Sequence, residues 1–210
     1  MNSIVSSGLK YFLRFILLYI LLTGLSLIPA VGSAFNVMFR TSAEKGLTVI
    51  FPKAYIKAKG DRENPDLLRF EFASKAKVKE MSKKNRQGAN NKAFQIPGKI
   101  YDFKFYNLFL TFYVFLITLI LLAPLPRKEI LLNLLIGTIL FYGYSFFKAA
   151  LTLYALFIKP ETAIYQPSTG WINFWEQVLY FQTLGVAVLV VILIWALLVF
   201  RRGNWKKVFS

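Results

Sequence analysis

The chain contains no cysteine and no histidine among its 210 residues. Without cysteine it has neither disulfides nor thiolate metal sites. The absence of histidine removes the most common general base and metal ligand. A glycine-rich phosphate loop is also missing. Asp61, Glu63 and Asp66 cluster around Arg62, but aspartate is common in turns for backbone reasons. We therefore expect no enzymatic activity, no cofactor and no metal site.

Acidic residues are few, with 10 Asp and Glu against 26 Lys and Arg, a formal charge of +16. Such an excess of positive charge is typical of proteins with an anionic partner. We see no aromatic residue interleaved with the basic ones beyond Tyr55, so nucleic acid is not the expected partner.

Hydrophobic residues make up 56% of the chain, and 21 of them are phenylalanine. They are concentrated in four segments, each long enough at about 1.5 Å per residue to approach the ~30 Å hydrocarbon layer of a bilayer. The predicted spans are Phe15 to Val31, Leu108 to Leu122, Ile130 to Phe147 or beyond, and Val178 to Phe200.

The first span has the basic flank and the small residues Gly32, Ser33 and Ala34 of a signal peptide. Its apolar run is long for that role, so we interpret it as a retained helix, with Pro29 and Gly32 at its outer end.

Short connections predict the orientation of the spans. With four spans the N-terminus, the turn with Arg127 and Lys128, and the C-terminal tail share one side. Basic residues in short loops face the cytoplasm, so we expect both termini inside. The boundaries predicted are 1–33 for the tail and first span, 34–106 for an outer module, 107–125 and 126–160 for the second and third spans, 161–177 for an outer loop, 178–200 for the fourth span and 201–210 for a basic cytoplasmic tail.

The outer module has the two-residue period of strands with one apolar face. Thr48 to Lys59 and Leu67 to Lys79 alternate in this way, and the turn formers of Gly60 to Asp66 predict a hairpin between them. Phe94 to Tyr106 and Ala34 to Phe39 are further candidate strands. Between Lys79 and Phe94, the residues Ser82 to Lys92 are predicted to form a mobile polar loop. The module carries 16 Lys and Arg against 7 Asp and Glu, but long loops largely escape the charge rule.

The basic residues of this module form the candidate binding surface for an anion or a partner. In a strand, alternate side chains share a face at about 6.6 Å intervals, and the following loop would add to that row. Such a surface fits phosphate-bearing headgroups or an acidic protein, although lysines also protect sheet edges without binding anything. The residues are Lys75, Lys77, Lys79, Lys83, Lys84 and Arg86.

Lys148 is the one charge inside the long apolar stretch around the third span. If the helix runs from Ile130 to Ile158, Lys148 lies about 6 Å beyond its midpoint and needs a polar partner. If the span ends at Phe147, Lys148 lies at the outer surface and extends its ammonium to the headgroups. Further polar residues of the apolar segments are Asn133, Glu176 and Gln182. The candidate partners for Lys148 are Glu176, Gln182 and Glu161, which lies just outside the third span.

Four apolar segments with a β-rich first outer segment and a short second one resemble the claudin-like tetraspan layout. The tryptophan and paired cysteines of that family are absent from residues 34–106. The Cys-free composition, rich in Lys, Asn and Phe, is typical of bacteria. We expect a mainly α membrane protein with four transmembrane helices and a small antiparallel β-module between helices 1 and 2, in a bacterial cytoplasmic (inner) membrane. Other membrane subunits are the expected partners, with anionic lipid, an envelope component or a second copy as alternatives, and a transporter component as the rival function.

Overall fold

The computed structural model describes residues 2–61, 64, 66–87, 98–183 and 185–200. The chain is mostly helical, with one three-stranded antiparallel sheet that follows the second helix. The elements are α1 (Asn2–Ser26), α2 (Pro29–Ile50), β1 (Ala54–Gly60), β2 (Leu67–Ser74), α3 (Lys75–Gln87), β3 (Lys99–Lys104), a π-helical segment (Tyr106–Leu110), α4 (Thr111–Leu121), α5 (Arg127–Phe157), α6 (Thr169–Thr183) and α7 (Val186–Phe200).

The chain divides into two compact units. We call the first the helical unit, since it contains α1, α4, the beginning of α5 and α7. The second, the mixed unit, contains the sheet, most of α2, all of α3, the end of α5 and most of α6. The helical unit comprises Met1–Gly32, Tyr106–Phe146 and Gln182–Ser210, and the mixed unit comprises Ser33–Phe105 and Phe147–Phe181.

The first predicted apolar span is shorter at its C-terminal end than expected. Helix α1 ends at Ser26, and Pro29 begins α2 instead of closing the span. The carbonyl of Ile28 accepts hydrogen bonds from the N–H groups of Val31 and Gly32, at 2.9 and 3.0 Å. Proline suits the first turn of a helix because its missing N–H would have no partner there.

The predicted strand from Ala34 to Phe39 is wrong, as is the predicted beginning of the next strand at Thr48. Both lie in α2. Phe39, Ala43 and Leu47 are fully buried at four-residue intervals, which is the period of one helical face. Six residues were too few to distinguish this period from alternation.

The predicted hairpin is confirmed. Strands β1 and β2 are antiparallel, with Ala54 opposite Ser74 and Gly60 opposite Leu68, and β2 pairs with β3 on its other side. The alternation places one face of the sheet inside, as predicted, because successive side chains of a strand point to opposite faces. The buried residues of this face include Ala54, Ile56, Ala58, Leu68, Phe70, Phe72 and Phe103.

The prediction that β2 continues to Lys79 is wrong. The strand ends at Ser74, where the N–H of Lys75 donates to the carbonyl of Lys53 at 2.9 Å, and α3 then extends to Gln87. Lysine, alanine, glutamate and methionine are good helix formers, and they outweigh the weak alternation of Ala76 and Val78. The predicted polar loop from Ser82 is therefore helical as far as Gln87, and its remaining residues, 88–92, lie outside the described part.

Helix α4 contacts the three other helices of the helical unit. Phe115 meets the rings of Phe15 and Tyr19 from α1, edge to face at 5.6 and 6.1 Å. On another side, Tyr113 stacks on Phe141 of α5, with ring centroids 6.2 Å apart. Trp195 of α7 donates its indole N–H to the carbonyl oxygen of Leu119 at 3.1 Å. The second predicted span therefore forms the core of this unit.

The predicted uninterrupted helix from Val178 to Phe200 is wrong. Helix α6 ends at Thr183, Gly185 adopts a positive φ of 78°, and α7 begins at Val186. Glycine enters this left-handed region without the steric cost of a Cβ atom. Helix α6 begins at Thr169 and so includes the second half of residues 161–177, the predicted outer loop.

An aromatic cluster joins five segments of the mixed unit. Phe157, at the end of α5, packs edge to face on Phe51 and on Phe72, with ring centroids 5.1 Å apart in both pairs. Tyr165, from the segment after α5, stacks on Phe157 at 6.3 Å, and Trp175 of α6 meets Tyr154 of α5 at 5.4 Å. The cluster covers the sheet with the last turns of α5 and thereby makes α5 part of this unit.

Candidate functional site

The helical unit exposes a broad apolar surface. Leu17 of α1, Leu131 of α5 and Leu189 of α7 are 70, 68 and 64% exposed. Other large apolar side chains along the same helices are exposed with them, including Phe12, Leu13, Ile20, Leu21, Leu135, Ile139, Ile192, Leu193 and Leu197. Contiguous apolar surface of this extent in water is rare and marks a membrane or protein contact.

Two of the described helices are long and apolar enough to cross a bilayer. They are Gly8–Ser26 within α1 and Arg127–Phe157, which is α5. The apolar helices Tyr106–Leu121 and Val186–Phe200 are shorter. By length and composition alone, these two helices are compatible with a membrane protein; a signal sequence or the core helix of a soluble protein can pass the same test.

Polar side chains in the helical unit satisfy the ends of neighbouring helices. Besides the indole bond of Trp195 to the last turn of α4, the amide of Asn133 donates to the carbonyl of Leu198, in the last turn of α7, at 3.5 Å. Tyr113 donates to Thr138 at 2.9 Å, since the Thr138 hydroxyl proton already bonds the carbonyl of Leu134. The last carbonyls of a helix have no partner within it, so the bonds of Trp195 and Asn133 use such groups to hold α4, α5 and α7 together, and the bond of Tyr113 to Thr138 joins side chains of α4 and α5. Of the four intramembrane polar residues predicted, Asn133 thus lies in a helix contact.

The basic residues predicted to bind a partner lie on α3. Because α3 is a helix, Lys75, Lys77 and Lys79 do not form the expected single row. Lys75, Lys79 and Lys83 instead follow one another at four-residue intervals along one face, about 6 Å apart, and Lys77 lies on another face. All four side chains are exposed. The side chains of Lys84 and Arg86 lie outside the described part.

Helix α3 packs only lightly on the mixed unit. Val78 and Ser82 are its half-buried residues, whereas its exposed residues include Met81 and the lysines. The helix carries six basic residues and a single acidic one, Glu80.

No protein family model, curated protein or solved structure matches the chain. Only the surfaces of the protein therefore point to a function. Among the polar surfaces, the exposed lysine face of α3 is the strongest candidate for binding a partner.

Lys148 lies in α5, half-buried, two residues beyond the end of the helical unit at Phe146. Its backbone carbonyl accepts a hydrogen bond from Thr152 at 3.0 Å. Among the described residues its ammonium forms no ion pair. Of its predicted partners, Glu161 bonds Lys99 instead, at 2.5 Å, and Glu176 is exposed on α6. The side chain of Gln182 lies outside the described part.

The acidic turn between β1 and β2 has a backbone role in the described residues. A carboxylate oxygen of Asp61 accepts a hydrogen bond from the N–H of Asn64 at 3.3 Å, and the amide oxygen of Asn64 accepts from the N–H of Asp66 at 3.1 Å. Side-chain oxygens that bond their own turn are the usual reason for Asp and Asn at such positions. Glu63 lies outside the described residues.

Two ion pairs of the mixed unit were not predicted from the sequence. Arg69 of β2 binds both carboxylate oxygens of Asp102 on β3, at 2.8 and 3.0 Å. Lys99 of β3 meets Glu161 beyond α5. Hydrogen bonds from the guanidinium of Arg69 lower the pKa of Asp102 below its ordinary range, and the ammonium of Lys99 lowers the pKa of Glu161 in the same way. The register of β2 and β3 brings Arg69 opposite Asp102, and Lys99 meets Glu161 because the segment after α5 lies against β3. Each pair links residues far apart in the sequence, so no short stretch of it shows them.

Proposed function

We propose that the chain is a non-catalytic integral membrane subunit with four spans, both termini inside, in a bacterial cytoplasmic membrane. The mixed unit lies on the outer side. The observation that carries the membrane proposal is the exposed apolar surface shared by α1, α5 and α7. Burying such side chains in hydrocarbon is favourable by about 25 cal/mol per Å², and water offers no such gain.

The lengths of the helices fit four spans if the bilayer adapts to the shorter ones. At 1.5 Å per residue, Val186–Phe200 is about 22 Å long and Tyr106–Leu121 about 24 Å. Local thinning and flanking aromatic or basic residues compensate for short spans at modest cost. The unit boundary at Phe146 supports a third span that ends there, with Lys148 at the outer surface.

Topology is tested directly because the chain has no cysteine. Lys83→Cys and Lys128→Cys each place one thiol in an otherwise thiol-free protein. In intact cells a membrane-impermeant maleimide should label position 83 and leave position 128 unlabelled until the membrane is opened. The reverse pattern would place the mixed unit inside and end the proposal of an outer docking surface.

The lysine face of α3 is the proposed docking surface for an acidic region of another membrane subunit. Its support is the light packing of α3, which leaves Lys75, Lys79 and Lys83 available along about 12 Å of helix. Charge complementarity of this kind steers association and fixes register.

The docking proposal predicts a charge-dependent complex. Lys75→Gln, Lys79→Gln and Lys83→Gln together should abolish co-purification of partner subunits in mild detergent. The matched control removes the same charge from exposed lysines elsewhere in the mixed unit, with Lys45→Gln, Lys57→Gln and Lys104→Gln. Equal co-purification from both variants, or a monomer from the unmodified protein, contradicts the docking role.

A transporter or channel component is the second proposal, and it rests on the half-buried Lys148 without an ion pair among the described residues. Half-buried lysines in apolar helices often mark ion pathways. In proteoliposomes with an entrapped pH dye, this role predicts a proton flux that Lys148→Leu removes while assembly stays intact. No flux from the unmodified protein leaves the subunit role as the better proposal.

A further inference from the structure

Helix α6 exposes large aromatic side chains. Trp171 and Phe174 are 55 and 49% exposed, although aromatic residues of this size gain most from burial. They lie about 60° apart around the helix at 100° per residue. The half-buried residues of α6 lie beside them, whereas Asn173 and Glu176 lie on the opposite side and Gln177 lies about 60° from Phe174. The half-buried residues are Ile172, Trp175, Val178 and Leu179, and the exposed polar ones are Asn173, Glu176 and Gln177.

Packing fixes which side of α6 faces the protein. Trp175 meets Tyr154 of α5 edge to face at 5.4 Å, and Trp171 stacks on Trp175 at 6.4 Å. Trp171 also meets Phe174 edge to face at 5.7 Å. The two exposed rings therefore form one continuous patch at the border of the packed face and are held in place by Trp175.

The position of α6 in the chain indicates what covers this patch. Helix α7 begins at Val186, and between Thr169 and Phe200 the single charged residue is Glu176. A straight helix over these residues would measure about 48 Å, well beyond a ~30 Å hydrocarbon layer. The positive φ of Gly185 ends the helical path between them. Trp and Tyr are the residues that concentrate at the headgroup level.

We propose that α6 lies in the outer interface of the bilayer, with Trp171 and Phe174 inserted among the lipid headgroups. This inference rests on the proposed function, because it requires α7 to be a span. It adds that the fourth apolar segment is not one rod but an interfacial helix followed by a short span. The occupant of the patch is the lipid surface, and Glu176 with its polar neighbours faces water.

Tryptophan fluorescence measures the depth directly. The chain has four tryptophans, so one variant retains only Trp171 and another only Trp195, with phenylalanine at the other three positions. Each is reconstituted into phosphatidylcholine vesicles that carry a spin-labelled lipid, with the label either near the headgroup or deep in the acyl chain. We expect the shallow label to quench Trp171 at least twofold more than the deep label, and the deep label to quench Trp195 more than the shallow one.

The outcomes separate the inference from the proposed function. If aqueous iodide quenches Trp171 and neither lipid label does, while Trp195 responds to the deep label, the interfacial helix is wrong and the span stands. Stronger quenching of Trp171 by the deep label also overturns the inference, since α6 would then lie in the hydrocarbon. If neither lipid label reaches Trp195, the membrane proposal itself fails.

A second measurement keeps all four tryptophans. In the cysteine-free chain, Phe174→Cys and Glu176→Cys place an environment-sensitive fluorophore on the aromatic and polar sides of α6, about 160° apart at 100° per residue. In nanodiscs that each hold one molecule, the emission of the label at 174 should shift to the blue relative to that at 176. Equal emission at the two positions contradicts the inference, and a shift at 174 that requires several copies per disc indicates a contact between copies.

Discussion

A carboxylate oxygen of Glu44 accepts a hydrogen bond from the backbone N–H of Ala58 at 2.8 Å. Glu44 lies on α2, and Ala58 lies on β1, which is an edge strand of the sheet. An edge strand presents unpaired N–H groups that invite pairing with another chain. Helix α2 therefore satisfies the open edge of β1 with a half-buried side chain and fixes the distance between helix and strand.

Removing this carboxylate should destabilise the mixed unit. Glu44→Ala leaves the N–H of Ala58 without its acceptor, which costs about 1–3 kcal/mol for a buried group. Glu44→Gln retains a carbonyl oxygen and should lose less. The measurement is thermal unfolding of the purified protein in detergent, with Lys45→Ala on the exposed side of the same helix as control. If Glu44→Ala melts with the control, the contact contributes nothing.

Two phenylalanines of α5 should differ sharply on truncation. Phe157 is fully buried against Phe51 and Phe72, and Phe157→Ala should cost about 3–5 kcal/mol. Phe147, ten residues earlier on the same helix, is 55% exposed. Phe147→Ala should therefore change the melting temperature in detergent much less. Similar losses from the two variants would show that the aromatic cluster does not hold the mixed unit together.

Gly137 marks a close approach of three helices in the helical unit. A Cβ atom there would lie 3.0 Å from Ile120 Cδ1 and 3.2 Å from Leu198 Cδ1. Gly137→Leu should destabilise by about 1–3 kcal/mol through overpacking. At Gly143, also on α5, a Cβ atom meets nothing within 4 Å, so Gly143→Ala should stabilise the helix by about 0.5–1 kcal/mol. The measurement is the melting temperature of each variant in detergent. An unchanged melting temperature for Gly137→Leu would mean that α4 and α7 do not pack closely on α5.

The parts of the fold that could be predicted were those with a local signal. Ile56 and Phe70 lie in segments whose alternation is uninterrupted, so their strands and the hairpin were predicted correctly. The change from strand to helix at Lys75 was missed because Lys and Ala occur in both structures and the alternation continued by chance. The break near Gly185 was missed because apolar composition predicts burial and carries no information about φ.

The candidate site was predictable in composition but not in arrangement. The sequence identified a basic surface, and the same lysines lie on α3, yet a helix groups Lys75 with Lys79 where a strand would also include Lys77. Long-range contacts such as that between Glu44 and Ala58 depend on strand register and helix position together. No short sequence window contains both partners, so these contacts required the structure.

The ion pair of Arg69 and Asp102 predicts a specific pH dependence. The guanidinium of Arg69 holds the pKa of Asp102 below its ordinary value of 3.8. A lowered folded-state pKa means that the carboxylate stabilises the fold at pH values above the unfolded pKa, and that this stabilisation is lost as the pH falls through the folded pKa. The melting temperature of the unmodified protein should therefore exceed that of Asp102→Asn at neutral pH, and the two should converge as the pH falls below the ordinary value and through the lowered folded-state pKa of Asp102. High salt should reduce the difference, because both side chains are exposed and screening weakens exposed pairs.

Glu161→Gln is the matched control: its pair with Lys99 has one hydrogen bond in place of two, so its difference at neutral pH should be smaller. A difference for Asp102→Asn that stays constant from neutral to acid pH would show that the aspartate acts through its shape and not its charge.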